Sequence, residues 1–387
     1  MFAALNFFFT RKNAGSVPVF TPGQLWSWGG NTQGELGLGN RTAYSSPKQV
    51  GSLTTWAVIS AAGNSINNIA VKSNNTLWSW GGNASGQLGL GNVTSYSSPV
   101  QVGSLTNWSS NQQSIVSLNS ACLAVKTDGT LWAWGFNFYG QLGLGTSGSS
   151  AYKSSPNQVG SLTNWNVVSN GSISSGAVKT DGTLWTWGGS NFYQLGLNNQ
   201  TSYSSPVQVG SLTNWSSLNI QYTGTLALKT DGTIWSWGSN SAGQLGLGNI
   251  TNYSSPKQVG SLTTWLNIGT GTYTGFAVST SNALWAWGRN DYGQSGLGNT
   301  TNYSSPKQVG LLTTWLKPGN VSGGGFTTIV IKTNGELWSW GINNQGQLGL
   351  GTSGAAAYKS SPNQVGLLTT WQSNRVGQDW NIAIKTP

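Results

Sequence analysis

Seven carboxylates, one thiol and no imidazole are all that the 387-residue chain offers for proton transfer or metal binding. General acid–base catalysis needs two titratable groups at close range, and histidine, the usual shuttle near neutral pH, is absent. Asp128, Asp181 and Asp231 sit in Asp-Gly turns, Glu336 follows Asn334-Gly335, and Glu35 stands where sister copies of a repeat carry Gln. Only Asp291 and Asp379 fall outside such slots, and they lie in different copies. A paired-carboxylate site and a carboxylate metal cage are therefore not expected. Cys122 has no second thiol, which excludes an intrachain disulfide and a thiolate cluster. The glycine-rich stretch 86–91 lacks the Lys-Ser/Thr ending and the following helix of a phosphate loop. Asn-x-Ser/Thr triplets at Asn92, Asn107, Asn214 and Asn249 follow from an Asn/Ser/Thr-rich composition. The expectation is a chain without catalysis, metal or cofactor.

The cations invite a different chemistry. Seventeen basic residues against seven acidic ones give a net charge of +10, a balance that could attract an anionic partner. Their placement is repetitive. Lys72, Lys126, Lys179, Lys229, Lys332 and Lys385 share one slot, Lys48, Lys257 and Lys307 a second, and Lys153 and Lys359 a third. There is no basic run and no basic helix, so nucleic acid is not the expected partner. The first set should form a broken ring on one face, a candidate surface for an anionic ligand or receptor.

What must position these groups is set by Leu25-Trp26-Ser27-Trp28-Gly29. The Trp-x-Trp pair returns at Trp78/Trp80, Trp132/Trp134, Trp185/Trp187, Trp235/Trp237, Trp285/Trp287 and Trp338/Trp340, at intervals of 50 to 54 residues. A period near 50 with glycine and aromatic punctuation is the signature of a propeller. Within one copy, 215–220 and 225–229 read as two strands. Thr230-Asp231-Gly232-Thr233 reads as a hairpin turn, 234–237 as a third strand, and the stretch ending at Val259 as an outer strand where Pro256 is tolerated. The chain ends on the first half of a copy, 380–387, and enters the repeat at 23 on the second half. These sequences predict an all-β, seven-bladed propeller of four-stranded blades, closed by a composite blade from both termini, with an N-terminal extension. Residues 1–22 would be an arm and 23–387 the propeller.

Leu-Trp-x-Trp-Gly-x-Asn-x-x-Gly-Gln-Leu-Gly-x-Gly, preceded by Ala-Val-Lys-Thr-Asp-Gly and followed by Pro-x-x-Val, resembles the regulator of chromosome condensation repeat. It is clearest at 77–91, 131–145 and 234–248. The resemblance covers 23–387 and implies a seven-bladed propeller closed by a composite blade. It also implies one of several roles: nucleotide exchange on a small Ras-like GTPase, chromatin binding, enzyme inhibition or general protein binding. The chain departs from the pattern in having no His. Its fourth copy has Phe192-Tyr193-Gln194 and Asn198 at expected glycine positions, the sixth has Ser295 for Leu and Ser279 for Lys, and the third and seventh have three extra residues in the outer loop.

Two further expectations concern binding. The copies diverge just after Leu-Thr-x-Trp, in 57–68, 109–121, 166–176 and 316–328, which should form the inner strands and hairpins around the channel mouth. The apolar Phe2, Leu5, Phe7, Phe8 and Phe9, followed by Arg11 and Lys12, should be covered, either by the propeller itself or by another protein subunit that they anchor to. Phe2–Phe9 is not a secretory signal, and no apolar run approaches a membrane span. The near-verbatim repeats, polar surface and apolar N-terminus look like a virion component, a capsid-surface or tail-associated attachment protein, and otherwise a cytoplasmic one. The alternatives are an exchange-factor or chromatin-type regulator and an inhibitor-like binding module.

Overall fold

The computed structural model describes residues 21–61, 66–220, 222–318, 320–321 and 326–387. Among them the regular structure is strand, apart from two single turns of 3₁₀ helix at Ser149–Ala151 and Ala355–Ala357. Six sheets have four strands and the seventh, built from both ends of the chain, has a short fifth; the first strands of neighbouring sheets pack on one another around the central axis. In one blade Trp215–Ile220 is innermost, Gly224–Lys229 second, Ile234–Gly238 third and Tyr253–Gln258 outermost. The predicted composite blade is present. Gln24–Gly29 lies antiparallel to Trp380–Lys385, with Leu25 opposite Ile384 and Gly29 opposite Trp380. A two-residue strand, Asn320–Val321, adds parallel to Trp371–Val376 at its inner edge. Joining the two ends in one sheet removes the open edges that a linear array would expose.

The tryptophans explain why the ring holds. Residues two apart on a strand share a face, and the inner-strand Trp215 meets both Trp235 and Trp237 edge-on, at 6.2 Å each. The second Trp of each pair also staples blade to blade. Trp237 Nε1 donates to the Gln194 carbonyl of the preceding blade at 3.0 Å, and six equivalents run round the ring, including Trp28 Nε1 to the Gln347 carbonyl at 3.0 Å across the closure. Each of these indoles lies against a glycine in the left-handed region. A Cβ on Gly246 would come within 2.7 Å of Trp287 Nε1, and one on Gly349 within 2.8 Å of Trp28 Nε1. The loop between third and outer strands is braced by an asparagine: Asn240 Oδ1 accepts from Leu245 N, and its Nδ2 donates to the Asn249 carbonyl. In the fourth copy Ser190 replaces that asparagine, and Tyr193 and Asn198 take left-handed φ values of 61° and 63°.

Candidate functional site

Strand direction gives the ring two unlike faces. Hairpins between first and second strands share one face with the glycine-rich loops, the hairpin face. The Asp-Gly turns and the connections between blades share the other, the turn face.

On the turn face the six recurring lysines stand at the foot of the second strand, each opposite the inner-strand Trp. Five are less than 10% exposed. Their ammonium groups lie on indole rings: Lys72 Nζ is 3.4 Å from the Trp78 centroid and 4.8 Å from Trp56, and Lys126 is 3.7 Å from Trp132. Lys179, Lys229 and Lys332 repeat the arrangement at 3.7, 3.9 and 3.9 Å, and Lys385 reaches Trp26 more loosely at 5.6 Å. Burial lowers the affinity of Lys72 for its proton. The recurrence of the slot thus has a packing cause, a cation held between two aromatic faces. Beside the cages, Thr130 donates from N and Oγ1 to Asp128, and these bonds hold that carboxyl below its ordinary range. The same face carries seven equivalent half-exposed leucines, such as Leu53, Leu212 and Leu312, and two far more exposed ones, Leu311 at 94% and Leu367 at 91%.

The two acids outside repeated slots are apart in role. Asp291 pairs with Arg289 Nε at 2.5 Å, and Asp379 is half-buried, its carboxyl pushed up by burial and its carbonyl accepting from Gly30 N. Cys122 is fully buried, with its thiol pushed up to about 12 by that burial.

The hairpin face carries aromatic residues that the repeat does not require. Tyr222, Tyr273, Arg289, Phe326, Tyr292 and Tyr358 form a continuous chain across neighbouring blades. Tyr222 meets Tyr273 at 6.1 Å, Arg289 lies over Tyr273 at 5.8 Å and over Phe326 at 5.1 Å, and Tyr292 meets Phe326 at 4.9 Å and Tyr358 at 6.1 Å. A second group, Phe136, Phe138, Tyr139 and Tyr152, sits on the loop of the third copy, with Phe136 and Tyr152 4.8 Å apart. Phe138 and Phe192 are 50% and 41% exposed. Tyr and Arg are among the residue types enriched in protein-binding hot spots.

Part of the chain enters the axial channel. In the third copy, Trp108 and Lys126 are four residues further apart than Trp215 and Lys229. The surplus, 110–113, loops out between Ser109 and Ser114, which both stay bonded to Val125, and reaches into the channel. Gln113 O accepts from Val168 N at 2.9 Å, Gln112 Nε2 donates to Ala57 O at 3.1 Å, and Gln112 O accepts from Arg375 Nη2 at 3.0 Å. Those three contacts fall on the inner strands of three other blades. The plug is anchored at the composite blade by a buried arginine.

Residues 119–386 match the RCC1-like domain, and residues 22–67 and 74–116 match the regulator of chromosome condensation (RCC1) repeat.
The chain belongs to the RCC1-like domain family.
This RCC1-like chain is 32% identical over 185 residues to the probable E3 ubiquitin-protein ligase HERC6 of Homo sapiens, covering 47% of the chain and 18% of that protein. It is 31% identical over 189 residues to the ultraviolet-B receptor UVR8 of Arabidopsis thaliana, covering 48% and 42% respectively. The chain thus spans less than half the length of these relatives. Among solved structures, human WBSCR16 superposes with a TM-score of 0.80 at 16% identity, over 94% of this chain and 98% of that one. Prp20p from Saccharomyces cerevisiae gives 0.78 at 17%, over 95% and 92%. At such identities the likeness is one of fold.

Within the RCC1-like frame, the residues named for the N-terminal arm, Phe2, Leu5, Phe7, Phe8, Phe9, Arg11 and Lys12, lie outside the described residues. The described chain begins on the turn face, where Thr21 N donates to Gln372 Oε1 at 2.9 Å. Within the described residues the variable segments form inner strands and hairpins, as their position in the copy predicts, except that 110–113 leave the strand for the channel. Sequence reasoning missed the aromatic chain and the plug. The signal was there: Phe136-Asn137-Phe138-Tyr139 and Asp291-Tyr292 replace the small residues of Gly82-Asn83-Ala84-Ser85 and Ser241-Ala242.

Proposed function

We propose that the chain is a non-catalytic, protein-binding propeller of the regulatory kind, whose hairpin face receives the partner. The observation that carries this reading is the run from Tyr222 through Arg289 to Tyr358, built from residues that the blades do not need for packing. The relatives support a regulatory reading over a virion attachment component. Prp20p is described together with its binding to Gsp1p and histones, and a Ras-like GTPase or a histone is accordingly the first partner class to try. Nucleotide release from candidate GTPases, and binding to core histones, are measured with wild type and with a Phe138→Ala/Arg289→Ala/Tyr292→Ala variant. Loss of the interaction in a folded variant supports the reading; equal binding by both proteins removes it.

We also propose that residues 1–22 act as an arm separate from the propeller at 23–387. In support, Thr21, the first described residue, bonds to Gln372 on the turn face, whose most exposed apolar groups are Leu311 and Leu367. The lysine ring is proposed to serve the fold rather than an anionic ligand, because its ammonium groups lie on indole faces.

A further inference from the structure

Arg375 is 5% exposed and lies on the inner strand of the composite blade, facing a small axial space beside the plug. Its guanidinium makes two hydrogen bonds to protein, both to carbonyls: Nη1 to Asn374 O at 2.9 Å and Nη2 to Gln112 O at 3.0 Å. Five N–H groups are available on an arginine, so three are left over. No carboxylate answers the charge. The ion pairs among the described residues are Arg289–Asp291 and Lys332–Glu336, neither of which is at the axis. An isolated cation taken out of water is strongly unfavourable unless something compensates it, and arginine cannot escape by losing its proton near neutral pH. Burial brings its pKa down only to about 10.

The space that Arg375 faces is partly enclosed by the described residues and has room for a single small guest. Ser60, Ser169, Val168, Leu218 and Asn219 line it with Arg375. Ser60 Oγ accepts from Ser117 N at 3.0 Å and Ser169 Oγ from Ile220 N at 2.9 Å, which leaves both hydroxyl hydrogens to donate elsewhere. The charged and hydroxyl groups of this lining therefore supply positive charge and donors, beside the side-chain amides of Gln113 and Asn219.

We propose that the axial cavity beside Arg375 is a binding site for one small monovalent inorganic anion of halide size, which neutralises the guanidinium and locks residues 110–113 in the channel. Larger anions such as gluconate or sulfate do not fit the space. The site is independent of the hairpin face and of whatever protein binds there.

Two measurements test it. Crystals of the full chain grown without halide and soaked in sodium bromide are expected to show an anomalous bromide peak in contact with the Arg375 guanidinium. Unfolding is then followed at constant ionic strength while gluconate is exchanged for chloride. At ten times its Kd, chloride should raise the folding equilibrium constant of the wild type about 11-fold. Arg375→Lys, which keeps the charge, should retain a chloride response, and Arg375→Gln should lose it. A bromide-free cavity, or a chloride response equal in wild type and Arg375→Gln, overturns the proposal. Should Arg375→Gln not fold, the bromide peak alone decides.

Discussion

Replacing Gly349 by alanine tests whether the ring is closed. Gly349 has φ +70°, and an added Cβ would lie 2.8 Å from Trp28 Nε1, across the junction between the two ends of the chain. Two costs follow. A residue with a Cβ in the left-handed region costs about 1–2 kcal/mol. The indole must also move off its hydrogen bond to Gln347 O, and a buried donor left without a partner costs about 1–3 kcal/mol. The expected loss is about 2–5 kcal/mol. Gly51→Ala is the control: its φ is +62°, but no atom lies within 4 Å of the added Cβ, so only the backbone cost of about 1–2 kcal/mol applies. Gly246→Ala, where the Cβ would sit 2.7 Å from Trp287 Nε1, is the matched site within the ring. Urea unfolding of all three is the assay. With roughly 2 cal/mol/K of unfolding entropy per residue over 387 residues, 3 kcal/mol corresponds to about 4 °C in Tm. Gly349→Ala should resemble Gly246→Ala. If it costs no more than Gly51→Ala, the chain ends are not packed as described and the closure argument fails.

Glu35→Gln should stabilise the fold near neutral pH by roughly 0.5–2 kcal/mol, because glutamine occupies this slot in sister copies and keeps the same bond. Gln33 N donates to Glu35 Oε2 at 2.8 Å, as Ser85 N does to Gln87 Oε1. Burial raises the Glu35 carboxyl, so whatever stability this group contributes is full below its ordinary pKa and is lost as pH rises through the raised one. The advantage of the variant should therefore shrink on acidification, and a pH-independent difference in Tm would contradict the assignment. Lys72→Met should cost about 1–2 kcal/mol by removing the ammonium from Trp78 and Trp56, with little dependence on salt. Polyanion binding to this variant across a salt series should match wild type; a drop would revive the lysine ring as an anion surface. Cys122, with its thiol pushed up to about 12, should resist alkylation at pH 8 until the protein unfolds, as read by mass spectrometry.

The fold was legible because its determinants recur in register. Each Trp-x-Trp pair implies a third strand, each Asp-Gly a turn, and the half copies at 23 and 387 imply one another. The surface was less so. Arg289 and Phe326 are 37 positions apart and belong to different copies, and only the curvature of the ring brings them within 5.1 Å. The surplus at 110–113 could be counted, but nothing in its polar composition indicates that it enters the channel and meets Arg375. The lysine slot was visible as a period, whereas its closeness to two indoles depends on strand pairing: Trp215 lies opposite Lys229, beside the strand that carries Trp235.

The proposal that the hairpin face is the one that binds is tested most directly by photo-crosslinking. A benzophenone side chain is placed at Phe138 or Tyr292 on the hairpin face, and at Leu53 or Leu212 on the turn face, and each protein is irradiated with candidate GTPases and core histones. Adducts from Phe138 and Tyr292, with the turn-face positions silent, are the predicted result. Adducts from Leu53 or Leu212 with the hairpin face silent would contradict it.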